Sequence, residues 1–211
     1  MIRIVILIFV GLLFFAACEP KPQTTDPVSE KKVQAKKLKN DAVNLIGFKD
    51  LKAVTANGKV VEIPGLSDEK QSTYILVRHA EKMTDGSDPE LTPAGLARSA
   101  KLAALLDNLK IDQVMSTDYK RTQATAAPLA KAQNLVVQSY DPSMQQDLFT
   151  DLSVFKKQNV VVVGHSNTIP QLANALIGKE VIAEYSEDDY SQLIIISLSQ
   201  PGMATFERFE F

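Results

Sequence analysis

Thr73-Tyr74-Ile75-Leu76-Val77-Arg78-His79-Ala80-Glu81 is the stretch from which this chain is best read. Five β-favouring residues lead without a spacer into a guanidinium and an imidazole, as at the end of a buried strand. The same order recurs at Asn159 to Val163, a continuous apolar run that fits a sheet covered on both faces. It is followed by Gly164-His165-Ser166-Asn167-Thr168. The chain has 2 histidines, and each stands just past such a run. In open α/β sheets ligands bind outside the carboxyl ends of the strands. If the two strands are parallel and close, both imidazoles face one crevice.

Working outward, helices alternate with strands. Thr92 is placed to cap a helix that Pro93 begins. Its face of Leu96, Leu102, Leu105, Leu106 and Leu109 carries it to about Leu109. A strand is expected over Ile111 to Met115, then a helix from about Tyr119 to Gln133 kinked at Pro128. A strand over Leu135 to Gln138 and a helix over Asp147 to Lys157 come next. Thr168 to Ile177 reads as a helix stopped by Gly178. Gln192 to Leu198 and Ala204 to Phe209 read as closing strands, joined through Gln200-Pro201-Gly202. This alternation predicts a three-layer α/β/α sandwich on a mostly parallel sheet, over residues 73–211. Residues 41–72 read as an extension holding a short β-hairpin. In it Asn57-Gly58 joins Lys52 to Thr55 with Lys59 to Ile63 by a type I′ turn.

The chain begins differently. Arg3 precedes an unbroken apolar or small run, Ile4 to Ala17, that ends Phe15-Ala16-Ala17-Cys18. This is the pattern of a secretory signal, and a cysteine directly after the small pair resembles a bacterial lipobox. Residues 1–18 are therefore expected to be a lipoprotein signal, with lipid on Cys18. Residues 19–40 carry Pro20, Pro22 and Pro27 among polar residues, the composition of a linker. The expected location is the bacterial cell envelope, membrane-anchored outside the cytoplasm, in the outer membrane or on a periplasmic face. With 211 residues, a net charge of −2 and one cysteine, the chain excludes an internal disulfide and a four-cysteine zinc site. It offers no basic face for nucleic acid.

What can two imidazoles do at strand ends? Zinc would need a third ligand and fits poorly beside Arg78. A planar guanidinium fork instead matches phosphate oxygens. Arg121, in Ser116-Thr117-Asp118-Tyr119-Lys120-Arg121-Thr122, follows a third strand.

Taken in order, Arg78-His79-Ala80-Glu81, Leu91-Thr92-Pro93-Ala94-Gly95, Ser116-Thr117 with Arg121-Thr122 and Thr125-Ala126, and Gly164-His165-Ser166 resemble the histidine phosphatase superfamily, also called phosphoglycerate mutase-like. Arg-His-Ala-Glu-Lys resembles its small bacterial envelope members. The resemblance implies that His79 is the nucleophile and becomes phosphohistidine, while Arg78, Arg121 and His165 hold the phosphoryl oxygens. It implies no metal and no cofactor. It also implies a carboxylate acid between the second arginine and the second histidine, where Asp141, Asp147 and Asp151 lie. Asp141, just past a strand, is the expected acid, and Glu81 is its rival. Ser166 and Asn167 are expected to bind phosphate or to fix His165, with Lys82 as a further phosphate contact.

Members with mutase activity carry a long insertion between the second arginine and the second histidine. The short interval here favours hydrolysis. The expected activity is metal-independent phosphomonoester hydrolysis of a small extracytoplasmic substrate, such as a sugar phosphate or an envelope glycolipid phosphate. Two alternatives stay open: a protein phosphohistidine phosphatase, and a non-catalytic lipoprotein that binds anions or partners on the same fold.

Overall fold

The computed structural model describes residues 43–154, 157–200 and 203–211. In chain order the strands and helices are β1 (Val43–Lys49), β2 (Lys52–Thr55), β3 (Val60–Glu62), α1 (Pro64–Ser67), β4 (Ser72–Arg78), α2 (Pro93–Leu105) and β5 (Gln113–Thr117). They continue as α3 (Lys120–Ala132), β6 (Val137–Tyr140), α4 (Gln145–Val154), β7 (Asn159–Gly164), α5 (Thr168–Ile177), β8 (Gln192–Gln200) and β9 (Met203–Glu210). The nine strands among the described residues join one sheet, ordered β3-β2-β1-β9-β8-β4-β7-β5-β6.

β4 sits inside this sheet because every one of its residues is buried. Alternate side chains feed opposite layers. Ile75 and Val77 enter a core with Leu102 and Leu105 of α2 and Leu129 of α3. Tyr74 and Leu76 enter a second core with Leu148, Leu152 and Leu172 from α4 and α5. The three layers follow directly. Parallel order holds on the side that matters for the site, where β4, β7, β5 and β6 run together. Beyond β4 the sheet is mixed: β8 and β9 are antiparallel, β1 is parallel to β9, and β2 and β3 are antiparallel again.

Residues 41–72 do not stand apart. Asp41–Phe211 form one compact unit, and β1 extends the main sheet through its pairing with β9. The β2–β3 hairpin is where the sequence puts it, with Ala53 opposite Val61. Its turn is not type I′. Of Asn57-Gly58 only Gly58 is left-handed, at φ 79°. The loop closes by Gly58 N–H to Thr55 O and Thr55 N–H to Lys59 O, as in a type I turn followed by a left-handed glycine. Two left-handed central residues occur instead at Asp50 (φ 49°) and Leu51 (φ 61°), joining β1 to β2.

Boundaries shift elsewhere by a few residues: α2 stops at Leu105, and β5 and β6 each begin and end two residues later than expected. Helix α3 runs through Pro128. Proline cannot donate to the carbonyl four residues back, that of Ala124. Ser99 Oγ of α2 lies 2.9 Å from that oxygen and supplies the donor, tying the two helices together. Cys18 and the 1–40 expectations lie outside the described residues.

Candidate active site

The register of β4 and β7 pairs Arg78 with Gly164, so the next residue of each strand is a histidine at the same edge. His79 N–H donates to Gly164 O at 2.9 Å and locks the two turns together. The imidazole centroids are 5.6 Å apart at 69°. The shared crevice expected from the sequence is therefore formed. It is an open cleft of about 460 Å³ whose lining includes Arg78, His79, Lys82, Arg121, His165, Ser166, Asn167 and Glu187.

His79 is 3% exposed, and its Nδ1 lies 2.8 Å from the carbonyl of its neighbour Ala80. A carbonyl only accepts, so Nδ1 carries the proton and Nε2 keeps its lone pair. Burial pulls the His79 pKa from 6.5 down to about 3, opposed by the Ala80 hydrogen bond and reinforced by Arg78, Arg121 and His165. Burial, then Arg121 and Arg78, pulls His165 down to about 4. With both values lowered, the two rings are neutral across the physiological range.

Each guanidinium is clamped. Arg78 donates through Nη1 to Ser186 O (2.7 Å) and Asp189 O (2.9 Å), and its charge lies 4.3 Å above the Tyr190 ring. Arg121 lies 4.3 Å over Tyr119, 3.6 Å from Asp88, and 3.5 Å from His165 Nδ1. Thr117 Oγ1, at 3.0 Å, orients the other nitrogen of His165. The Nε atoms of both arginines are buried and have no partner among the described residues. An unpaired buried donor costs about 1–3 kcal/mol, and an anionic oxygen is the acceptor of matching charge. Two cations, two neutral imidazoles and the N-terminus of the ten-residue α5 make this a place for a phosphoryl group.

The other sequence blocks are supports. Ala80 N–H donates to Thr125 Oγ1, which in turn donates to Arg121 O, so the turn that bears His79 hangs on the helix that carries Arg121. Thr92 caps α2 through Gly95 N–H at 3.0 Å and donates its own N–H to Glu81 O at 2.8 Å. A Cβ on Gly95 would lie 2.2 Å from that oxygen. Glycine there lets α2 press against the loop that follows His79.

Neither expected acid points into the cleft. Asp141 is exposed and lines the adjoining cavity with Tyr119 and Pro142. The Ser143 hydroxyl (2.7 Å) and amide (2.8 Å) hold its carboxyl below the ordinary range, as in an Asx turn. Burial raises the Glu81 pKa, but Arg98, at 2.8 Å, outweighs it and holds that carboxylate ionised. Asp147 and Asp151 are exposed on α4.

Sequence reasoning missed Tyr119, Tyr190 and Glu187. Tyr119 adjoins a quoted block and could have been suspected. The other two lie on the loop between α5 and β8, which carries no motif. Among the described residues no group of three or more His, Cys, Asp and Glu side chains is arranged to hold a metal ion.

The model of the histidine phosphatase superfamily, branch 1, matches residues 74–145. No curated protein matches the chain. Among solved structures, the protein histidine phosphatase SixA complexed with tungstate is 18% identical, with 65% of this chain and 96% of that one covered and a TM-score of 0.56. A mycobacterial glucosyl-3-phosphoglycerate phosphatase is 13% identical, covering 66% and 99%, with a TM-score of 0.53. Phosphoserine phosphatase from Entamoeba histolytica, in complex with 3-phosphoglyceric acid, is 15% identical, covering 66% and 97%, with a TM-score of 0.54. At such identities the structural likeness speaks for the fold. The family match, over residues 74–145, takes in Arg78, His79 and Arg121, and together with that fold and the cleft described above it supports a phosphatase.

Proposed function

We propose that the protein hydrolyses phosphomonoesters through a phosphohistidine on His79, without a metal ion, on a small substrate outside the cytoplasm. The observation that carries the reading is the His79 ring itself. Its Nδ1 is engaged by Ala80 O, its Nε2 is left as a base, and it stands among Arg78, Arg121 and His165. In the first step Nε2 attacks phosphorus while the ester oxygen departs. The Nδ1 proton stays on the ring, held toward the Ala80 carbonyl, so the phosphorylated ring is cationic and remains a good leaving group. In the second step water displaces it, and the electron pair returns to Nε2. Covalent catalysis divides one difficult displacement into two easier ones. The fixed guanidiniums neutralise the equatorial oxygens in both, the task a divalent ion performs elsewhere.

The full-length protein, purified in detergent and screened against phosphate esters, is expected to turn them over undiminished in a strong chelator. The acid limb of kcat/KM, corrected for ionisation of the substrate, should lie below pH 5. The reason is that the His79 pKa is lowered, so its neutral form survives well below 6.5. Loss of activity in chelator with recovery on adding a divalent ion would refute the metal-free route. An inert protein that still binds phosphate would favour the non-catalytic alternative.

The extracytoplasmic part rests on Cys18 and the apolar run before it. An anchored, open cleft suits a sugar phosphate or an envelope glycolipid phosphate. Cys18→Ser is expected to release the protein from membranes or to leave an unprocessed precursor. Palmitate labelling of the variant at the wild-type level would disprove this anchor.

A further inference from the structure

The cleft contains one carboxylate that no part of the mechanism yet uses. We propose that Glu187 is the acid–base residue of the reaction, giving a proton to the departing ester oxygen and then taking one from the attacking water. The inference rests on the phosphatase reading above.

Glu187 stands at the tip of a turn closed by Asp189 N–H to Ser186 O. The loop that bears it is pinned along its length. Asn174 Oδ1 accepts the amides of Val181 and Ile182, and Tyr185 N–H donates to Ser166 O. Arg78 Nη1 then grips both ends of the turn, at Ser186 O and Asp189 O. The carboxylate is thus placed by the same guanidinium that faces the phosphoryl site. It accepts from Arg78 Nη2 at 3.3 Å and from Ser166 Oγ at 3.1 Å. Its side chain is 80% exposed, so a leaving group and a water molecule can both reach it.

The competing carboxylates are occupied elsewhere, Asp141 by Ser143 and Glu81 by Arg98. Among the described residues Glu187 is the one acidic side chain in the lining of the cleft. A phosphoryl oxygen entering the cleft can take the place of Glu187 on Arg78, freeing the carboxyl group to face the leaving oxygen.

The balance closes over the cycle. As Nε2 forms its bond to phosphorus, the P–O bond breaks, and the Glu187 carboxylic acid protonates the leaving oxygen and becomes a carboxylate. Water then attacks phosphorus, its proton passes to that carboxylate, and the N–P bond returns its pair to His79. Phosphate is released and Glu187 ends as it began.

The test compares kcat/KM for a series of phenyl phosphates from 4-nitrophenyl to unsubstituted phenyl to 4-methoxyphenyl, in the full chain and in Glu187→Gln. Substrate shape stays nearly constant while the need for a proton rises, and kcat/KM reports the step in which the phenol leaves. Glutamine keeps an acceptor for Arg78 and Ser166. The variant should stay within about tenfold of wild type on the nitrophenyl ester. It should lose about 10²-fold or more on the phenyl and methoxyphenyl esters. The basic limb of the pH profile for those two should vanish. Equal losses along the series, no loss, or a gain from freeing Arg78 would each overturn the assignment. So would a leaving-group-dependent loss that appears in Asp141→Asn instead. If the wild type turns over none of the series, the phosphatase reading itself falls, and this inference with it.

Discussion

His79→Ala is expected to abolish turnover, by roughly 10⁴-fold or more, as removal of a nucleophile typically does. Labelled substrate should leave an acid-labile, alkali-stable phosphoryl group on the wild type and none on the variant. The substitution keeps the backbone N–H that donates to Gly164 O, so the two turns stay joined. The variant should also differ in acid. The folded pKa of His79, about 3, lies below its unfolded value near 6.5. The unfolded chain therefore takes up the proton first. The stability tied to this group is fully present above pH 6.5 and is lost as pH falls toward about 3. Denaturation midpoints measured between about pH 7 and 4 should fall less steeply in His79→Ala than in wild type. Retention of more than about a hundredth of the activity would show that the nucleophile lies elsewhere.

The two arginines should separate function from folding. Arg78→Met and Arg121→Met are each expected to lower kcat/KM by about 10²–10³-fold, the cost of removing one preorganised donor set from a charged transition state. Their effects on stability should differ. Arg78 is 2% exposed and holds two loop carbonyls as well as the Tyr190 ring. Its loss leaves Asp189 O without that donor and Ser186 O with the Asp189 N–H alone, and empties the buried space beneath the loop, so a clear loss of stability is expected. Arg121 keeps only long contacts to Asp88 and His165 besides its stack on Tyr119. Its replacement should cost less than that of Arg78, because it holds no loop carbonyl and methionine can keep the contact with Tyr119. Chemical denaturation of both variants checks this. Equal stability losses would mean that Arg78 does not organise the α5–β8 loop.

The N-terminal sheet shows why part of the fold could not be read in advance. β1 does not alternate: Leu45 and Phe48, three residues apart, are both buried. A register shift between Leu45 and Gly47 puts an extra residue into the strand and changes its phase. A period-2 pattern is the signal a reader looks for, and the bulge erases it. The same holds for the turns. Asn-Gly is a strong hairpin cue, yet the loop that forms uses only its glycine as left-handed, while Asp50-Leu51 adopts two positive φ values against the preference of leucine. Tertiary pairing outweighed local preference there.

Local chemistry determined a good deal of this protein before any folding was considered. The apolar runs 73–77 and 159–163 pointed to strands covered on both faces, and the structure made them neighbours. Arg78 at the end of one strand run, His79 and His165 just past two of them, and Arg121 in the first turn of the helix after a third pointed to one edge, since groups at the carboxyl ends of parallel strands share that edge. The tertiary structure decided what depends on distance rather than on neighbours in the chain. It turned Asp141 onto Ser143, engaged Glu81 with Arg98, and brought Glu187 and Tyr190 from a loop without motif against Arg78. A carboxylate's role depends on which donor reaches it in space, and Arg78 and Glu187 are more than a hundred residues apart in sequence. No local pattern encodes such a meeting; the packing of the α5–β8 loop over the end of β4 does.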